Sequence, residues 1–339
     1  MKNIVHVDIV ADLSWGDTGK GKVVSHLCKT ERYEYVCRWG GGQNAGHTVF
    51  IDGEKYKTHL VPSGIFHEKI CVIGPDCVLN VDKFFEELAY LEDLGLDLSL
   101  IKISPKAHIV TNEQLSSEKT NFYNSLGTTG SGIAPCYAAK AARTGTRAED
   151  VKALRNAYGQ DFMWDEKLKG RVLCEGAQGF YLDLNYGNYP YVTSSVTLPY
   201  AACSLGFPMQ KVRKIYGIAK MYDTRSGVDP LFPKSLESDR DLQRLCTLGR
   251  EVGTTTGRKR ACNWLNLDKL IYAAVTSGTT DVIINKEDVI KKLRKFKLYK
   301  DGELKEYNNI RTMKAEIANE LSALEYVGSV KFSGNPESI

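Results

Sequence analysis

The sequence lacks linkers, membrane spans and a strongly charged surface. No Pro-rich, Gly/Ser-rich or single-charge run divides its 339 residues, so we expect one domain spanning residues 1–339. No uninterrupted apolar run reaches membrane-spanning length, and no secretory leader precedes the strand-like segment that follows Asn3. A net charge of +4 is weaker than a nucleic-acid interface normally requires. These absences predict a cytoplasmic protein that binds neither membranes nor nucleic acids.

The spacing of the cysteines excludes a second group of functions. The nine cysteines are scattered through apolar or mixed segments, and no two of them form a CxxC pair. A zinc site or a redox-active dithiol is therefore not expected. An odd number of cysteines without a leader predicts buried free thiols in a reducing compartment.

Short apolar runs that end in polar or glycine-rich clusters dominate the sequence. The run Ile4–Ala11 is rich in β-branched residues, as expected for a strand buried on both faces. Helical patterns begin at Lys22 and span Val81–Leu94. Further strands are predicted at Tyr35–Trp39, Cys71–Ile73, Val172–Cys174, Lys214–Ile218 and Val282–Ile284. Strands that alternate with helices predict an α/β fold, with a mostly parallel central sheet, helices on both faces and chemistry at strand ends.

The first predicted strand leads into a segment, Ser14–Lys22, that combines glycines, lysines and a carboxylate (SWGDTGKGK). Glycines let backbone N–H groups approach phosphate oxygens, and the start of the following helix adds positive potential. The spacing is not that of Walker A. A carboxylate repels phosphate, so Asp17 predicts a metal ligand or a base. The alternative is an ordinary glycine-rich turn with two solvated lysines.

A second glycine cluster, Gly40–Thr48, contains a histidine and follows a predicted strand. His47 in this position can donate a proton or hydrogen bond to developing phosphate charge. Two later segments, Gly127–Ile133 and Glu175–Gly179 with Tyr189–Ser195, offer hydroxyls, an amide and open backbone for the phosphate and base of a nucleotide. Each of these segments alone could be only a loop.

Two segments nearer the C-terminal end carry charge. Val252–Arg260 presents three consecutive hydroxyls and two arginines, which suit the clamping of a dicarboxylate, although a solvated basic loop is the alternative. Asn285–Asp288 follows a predicted strand and matches the NKxD pattern that reads guanine in GTP-binding folds. In that pattern a carboxylate accepts from guanine N1 and N2, and the lysine packs on the ring.

Together and in this order, the segments resemble adenylosuccinate synthetases. The family pattern WGDEGKGK appears as WGDTGKGK, and NAGHT, GTTGxG, EGAQG, YPYVTSS and TTGRxR are all present. The resemblance runs from about residue 4 to Pro336 and implies a P-loop-like, GTP-binding ligase fold. Such ligases join L-aspartate to carbon 6 of a 6-oxopurine nucleoside monophosphate. The C6 oxygen first attacks the γ-phosphate of a triphosphate, and the aspartate amine then displaces phosphate from C6.

The resemblance also implies ligands and residue roles. GTP would be the phosphoryl donor, with ATP and dATP left open, and Mg²⁺ would be held by Asp17 and Gly46. Catalysis would use Asp17 as base, His47 as acid, and Lys20. The triphosphate would contact Gly19, Lys20, Gly21, Lys22, Gly46, Lys286, Asp288 and Gly334. The purine monophosphate would contact Asp17, Thr18, Asn44, Thr129, Gln178, Thr193, Arg258 and, across a homodimer interface, Arg143. L-Aspartate would contact Thr255, Thr256, Arg258 and Arg260.

Two departures from the family pattern bear on the substrate. Thr18 stands where the family has Glu, and Ser226–Phe232 rewrites the segment that lies against the ribose. Viral relatives of the family act on dGMP, and the shorter Thr18 makes room for a 2-amino group and offers it an acceptor. We therefore expect dGMP as the substrate, in the host cytoplasm if the chain is viral, with IMP as the alternative. A P-loop GTPase switch is the alternative from another class, and it would release phosphate without regard to aspartate.

Overall fold

A computed structural model of the chain describes residues 3–121, 126–164, 167–253 and 257–339. Its strands are β1 Ile4–Asp12, β2 Tyr35–Arg38, β3 His47–Ile51, β4 Glu54–Thr58, β5 Ile70–Ile73, β6 Val78–Leu79, β7 Ile101–Ile103, β8 His108–Ile109, β9 Gly170–Glu175, β10 Val212–Lys220, β11 Tyr222–Arg225, β12 Ala261–Asn266, β13 Asp281–Asn285, β14 Lys297–Lys300, β15 Glu303–Glu306 and β16 Ser329–Ser333. Its α-helices are α1 Lys20–Thr30, α2 Val81–Asp93, α3 Asn112–Asn121, α4 Ile133–Ala142, α5 Ala153–Asn156, α6 Arg240–Gly249, α7 Leu267–Thr276, α8 Glu287–Leu293 and α9 Ile310–Ser322.

An eight-stranded sheet forms the centre of the molecule, in the order β16-β13-β10-β1-β9-β2-β5-β7. Every neighbouring pair in it is parallel. A second sheet has four strands in the order β11-β12-β14-β15, and the pairs β3-β4 and β6-β8 form two-stranded sheets. The predicted α/β class, parallel sheet and strand positions are therefore confirmed.

Apolar side chains cover both faces of the central sheet because successive strand residues point to opposite sides. On one face, Val10 of β1 and Val36 of β2 pack with Val23 of α1 and Leu88 of α2. On the opposite face, Ile9 and Cys37 join a second cluster. A third cluster packs α7, α9 and part of α6 over β13. Both faces of the central sheet are thus covered by apolar packing.

Six strands of the central sheet end in a polar residue, and all six of these residues are buried. Because the strands are parallel, their carboxyl ends meet at one edge of the sheet, directly below the loops that carry the predicted motifs. The residues are Asp12 of β1, Arg38 of β2, Glu175 of β9, Lys220 of β10, Asn285 of β13 and Ser333 of β16.

One expectation about the cysteines is wrong. Cys246 of α6 and Cys262 of β12 form a disulfide, because the fold brings two residues 16 positions apart to a Cα–Cα distance of 6.1 Å. The bond closes the segment that contains Arg258 and Arg260. The other seven cysteines are free, and all of them except the half-buried Cys203 are buried, as expected.

Within the described ranges, no helix is long and apolar enough to cross a membrane.

Candidate active site

A cleft of about 1000 Å³ opens at the carboxyl edge of the central sheet. It brings together nearly all of the predicted site residues, from loops that are far apart in the sequence. Those lining it are Asp17, Thr18, Gly19, Lys20, Gly21, Lys22, Asn44, Gly46, His47, Thr129, Gln178, Thr193, Arg258, Arg260, Lys286, Asp288 and Gly334. Arg143 is exposed at the end of α4 and does not line the cleft. Thr255 and Thr256 lie outside the described residues.

Asp12, at the end of β1, organises the loop that follows it. One carboxylate oxygen accepts from the backbone N–H groups of Ser14 (2.9 Å) and Gly16 (3.2 Å). The other accepts from the hydroxyl of Thr18 (2.5 Å) and the amino group of Lys20 (3.0 Å). The Thr18 hydroxyl therefore donates its proton into the sheet edge, and its residue is 1% exposed. Its oxygen retains acceptor capacity, so the expected contact with a purine 2-amino group stays a prediction.

Lys20 is also held from the opposite side of the cleft. Its amino group donates to the backbone carbonyl of Gln178 at 2.6 Å, in addition to its bond with Asp12. Gln178 has a left-handed backbone (φ 61°), which is uncommon for a residue with a side chain and shows how tightly this loop turns over Lys20. The two contacts fix the position of the Lys20 amino group in the wall of the cleft.

Asp17 is the acidic group of this loop that reaches the cleft. Its backbone is left-handed (φ 58°), and its side chain is 29% exposed. Its Oδ2 lies 2.9 Å from Nε of Arg260, and Nη1 of Arg260 donates to Glu251 at 2.6 Å. The predicted base and a predicted aspartate-binding arginine are thus ion-paired with each other, although 243 positions separate them in the numbering (260 minus 17).

His47 begins β3 and is buried against the ends of β2 and β9. Its Nδ1 is hydrogen-bonded to Oε1 of Glu175, whose two oxygens also accept from the N–H (2.7 Å) and hydroxyl (2.7 Å) of Ser63. Nη2 of Arg38 lies 3.1 Å from Nδ1 and 3.0 Å from Nε2 of the ring. Gly21 of α1 permits this approach, because a Cβ there would lie 3.1 Å from the His47 Cβ.

The electrostatics of this group follow from its burial. Loss of solvent, assisted by the Arg38 guanidinium, lowers the pKa of His47 to about 4, although Glu175 opposes the change. Burial alone would raise the pKa of Glu175, but His47, Arg38 and the Ser63 hydroxyl outweigh it and lower that pKa to about 2. His47 is therefore neutral at pH 7. An anionic phosphate beside the ring would raise its pKa and favour its acidic form.

The far end of the cleft is built from β13, β16 and the loops that follow them. The amino group of Lys22 donates to Asn285 Oδ1 and to Ser333 Oγ, each at 2.7 Å. These two hydrogen bonds connect α1 to the ends of β13 and β16. Burial lowers its pKa to about 8. Gly334 packs so closely on Asp288 that a Cβ would come within 2.9 Å of the Asp288 nitrogen. These contacts bring the predicted guanine-reading carboxylate over the loop after β16.

Arg258 joins two of the predicted segments. Its Nη1 donates to the carbonyl oxygen of Gly127 at 3.0 Å, which ties the arginine loop to the GTTGSG segment. That segment is anchored from below by Glu118, which accepts from the N–H groups of Gly132 and of Ile133 (3.1 Å) at the start of α4. Thr129 thereby faces the cleft from a loop that is fixed at both of its ends.

Sequence reasoning found the loops but missed the residues that support them. Asp12, Arg38, Glu175, Lys220 and Glu251 are buried and charged, and none of them was assigned a role. For the first four, the signal was a charged residue at the end of an apolar strand, as in IVHVDIVAD and GRVLCE. Glu251 follows α6 and carried no such signal. A buried charge needs a partner, so such an ending indicates that an ion pair or a polar ligand lies above it.

Comparisons with known proteins identify related chains. The family model for adenylosuccinate synthetase matches residues 9–163 and 158–329. The chain is 36% identical over 342 residues to an adenylosuccinate synthetase of Shouchella clausii, covering 86% of this chain and 79% of that protein. It is 38% identical over 334 residues to that of Bacteroides fragilis, with 84% and 78% covered.

Two solved structures share the fold. A fully ligated adenylosuccinate synthetase from Plasmodium falciparum matches with a TM-score of 0.81 and 26% identity, over 98% of both chains. A succinoaminodeoxyadenylate synthetase of cyanophage S-2L, bound to dGMP and dATP, matches with a TM-score of 0.67 and 19% identity, over 93% of this chain and all of that one. The second similarity extends to the fold only.

Fold and site together define a nucleotide-dependent ligase that forms carbon–nitrogen bonds. The chain belongs to the adenylosuccinate synthetase family.

Proposed function

We propose that the protein condenses L-aspartate with carbon 6 of IMP, using GTP and Mg²⁺, to give adenylosuccinate. The observation that carries the proposal is the ion pair of Asp17 with Arg260 inside a cleft whose other end holds Asp288. A base for the purine, a cation for a dicarboxylate and a carboxylate for guanine are the three groups that this reaction requires. A GTPase switch has no use for the first two.

Three residues of the cleft have separate roles in the proposed reaction. Asp17 accepts the proton from purine N1, which makes the C6 oxygen nucleophilic. Lys20, fixed by Asp12 and Gln178, stabilises the negative charge of the transferred phosphoryl group. As the bond between the γ-phosphorus and the β-phosphate oxygen breaks, His47 donates to that oxygen of the departing GDP, because the phosphates beside the ring have raised its pKa.

The oxygen ligands around Asp17 suit Mg²⁺, which prefers carboxylate and phosphate oxygens. The half-exposed Asp17 carboxylate and the backbone of Gly46 both line the cleft. The Asp17 side chain is 29% exposed, so part of its carboxylate is open to a cation in the cleft. When bound, the metal would neutralise triphosphate charge.

IMP is favoured here over dGMP, the substrate that we expected from the sequence. The Thr18 hydroxyl donates to Asp12, and its residue is 1% exposed, so the proton of this hydroxyl is used within the protein. The curated relatives quoted above are named adenylosuccinate synthetases, whereas the dGMP-bound phage enzyme is only 19% identical. Both facts support the ordinary purine.

The second departure, in the Ser226–Phe232 segment, also has an internal explanation. Asp229 is buried, accepts from the amide of Asn188 at 3.0 Å and lies 3.4 Å from Nε of Arg225. Arg225 in turn donates to the carbonyl of Tyr191 at 2.7 Å. Asp229, one of the residues that depart from the family pattern, thus forms a buried ion pair that joins two loops at the cleft. This explanation of the departure does not involve the sugar of the nucleotide.

We also propose a homodimer in which Arg143 completes the purine monophosphate site of the partner. Arg143 follows α4 directly, has a left-handed backbone (φ 64°) and is exposed. An arginine that extends from a fixed helix end, outside its own cleft, is suitably placed for contact with a second subunit.

The test is incubation of the purified protein with IMP, GMP or dGMP, each with GTP, Mg²⁺ and L-aspartate, followed by mass spectrometry. The proposal expects a product with the mass of adenylosuccinate from IMP, together with release of phosphate that depends on aspartate. Phosphate release that ignores aspartate would instead support the switch protein. Condensation with dGMP in preference to IMP would restore the substrate expected from the sequence.

A further inference from the structure

A buried charged cluster lies directly behind Arg260 and consists of Lys220, Tyr222 and Glu251. The side chains of Lys220 and Glu251 are each only 1% exposed, and Tyr222 is fully buried. No loop motif of the family pattern includes these residues, and the reaction steps above do not use them. A buried carboxylate is costly unless it is paired, so the arrangement needs a physical reason.

Glu251 is the centre of the cluster. Its Oε2 accepts from Nη1 of Arg260 at 2.6 Å, and its Oε1 accepts from the Tyr222 hydroxyl at 2.6 Å. The amino group of Lys220 lies 3.4 Å from both oxygens. The backbone adds to this contact, because the N–H of Arg260 donates to the carbonyl of Glu251 at 3.1 Å. Side chain and main chain therefore tie the same two residues together.

The packing around the cluster is close at Gly249. A Cβ at Gly249 would lie 2.4 Å from the Tyr222 hydroxyl and 3.1 Å from Oε1 of Glu251, so only glycine permits their hydrogen bond. The disulfide between Cys246 and Cys262 joins α6 to β12 at the base of the same loop. Arg260 is consequently held by Glu251 on one side and meets Asp17 on the other.

We propose that Glu251 is a positioning residue that aims Arg260 at the aspartate substrate and at Asp17, with Tyr222 and Lys220 fixing Glu251 itself. This inference rests on the proposed function, since Arg260 is taken as a ligand of L-aspartate. An unrestrained arginine samples many rotamers, so a fixed guanidinium binds a carboxylate with a smaller loss of conformational entropy. Glu251 would thus act on affinity for aspartate, through Arg260, without touching any substrate.

The test compares steady-state kinetics of the wild type with Glu251→Gln, Tyr222→Phe and Arg260→Leu. For Glu251→Gln we expect KM for aspartate to rise by about tenfold or more, the scale of one charge-assisted bond, while KM for IMP and for GTP changes little. Tyr222→Phe should change the same constant in the same direction by a smaller factor. Arg260→Leu sets the upper limit of the effect.

Asp8→Asn serves as the matched control. Asp8 is also a buried carboxylate paired with an arginine, Arg213, but it lies four residues before the end of β1, about 13 Å from the cleft edge by strand rise. A general loss of stability would affect Asp8→Asn as much as Glu251→Gln, without selective change in KM for aspartate.

The outcomes separate the two proposals. Wild-type turnover that does not depend on aspartate would overturn the proposed function and this inference with it. If wild type depends on aspartate, an unchanged KM for aspartate in Glu251→Gln would overturn only the role of Glu251. If Glu251→Gln does not fold, Tyr222→Phe decides: a selective rise in KM for aspartate supports the inference, and equal effects on all three substrates contradict it.

Discussion

Arg260 Nε lies 2.9 Å from Asp17 Oδ2, so the candidate aspartate-binding arginine and the candidate base are in direct contact. One residue belongs to the loop after β1 and the other precedes β12. In the proposed mechanism, this contact places the site for L-aspartate next to the group that activates the purine. This proximity is what a reaction needs when it couples attack at C6 to prior phosphorylation of its oxygen.

The variant Asp17→Asn should retain the fold and lose most turnover. The substitution keeps the shape of the side chain but removes the group that accepts a proton, and loss of a general base typically costs about 10²–10⁴-fold in rate. Thermal unfolding should be compared with that of the wild type, and kcat measured at saturating substrates. A near-normal kcat would remove Asp17 from the mechanism.

The variant Gly334→Ala should weaken GTP binding selectively. Its new Cβ would lie 2.9 Å from the nitrogen and 3.0 Å from the Cβ of Asp288, so Asp288 would have to move. Overpacking of roughly 1–3 kcal/mol corresponds to an increase of about 5–150-fold in KM for GTP. Gly328→Ala is the control, because the nearest atom to its Cβ is 3.8 Å away. Equal effects of both variants would contradict the assignment of Asp288 to the guanine end of the cleft.

Asp223 should make stability depend on pH near neutrality. Burial raises its pKa to about 7 while Asn266 N–H donates to it at 2.9 Å. The folded state therefore keeps a proton that the unfolded state loses near pH 4. From about pH 4 to 7 this group makes stability fall as pH rises, by at most about 1.4 kcal/mol per pH unit.

Asp223→Asn should remove that component of the pH dependence. The measurement is the free energy of unfolding in urea at several pH values between 5 and 7, for the wild type, for Asp223→Asn and for the exposed control Asp93→Asn. The free energy of unfolding of the wild type, minus that of Asp223→Asn, should fall steadily as pH rises. Parallel curves would show that Asp223 is already ionised in the folded protein at pH 5.

Mixing two inactive variants should restore activity if Arg143 acts across a dimer interface. Asp17→Asn and Arg143→Leu impair different halves of a shared site, so a hybrid dimer contains one intact site. After subunit exchange, verified by mass spectrometry of tagged chains, partial turnover should return. Arg155→Leu, which removes another exposed arginine, should be active without mixing. Verified exchange without recovery would indicate that each site is built within one chain.

Much of the fold could be predicted because its signals are local. Ile4–Ala11 and Val282–Ile284 read as buried strands from their β-branched residues, and both lie in the central sheet. The glycine-rich loops after β1, β2 and β9 were also recognisable, since each follows a buried strand. The contacts of Glu175 with His47 and of Glu251 with Arg260 were not, because they depend on strand order and side-chain direction. Nothing local at Cys246 indicated its disulfide either.

The most direct test of the account is kcat/KM for IMP, GMP and dGMP under one condition with saturating aspartate and GTP. The same measurement on Thr18→Glu tests whether Thr18 affects the choice between purines with and without a 2-amino group. The account predicts that IMP is the preferred substrate, and that Thr18→Glu affects IMP and dGMP alike because the Thr18 hydroxyl serves Asp12. A clear preference for dGMP, lost in Thr18→Glu, would contradict it.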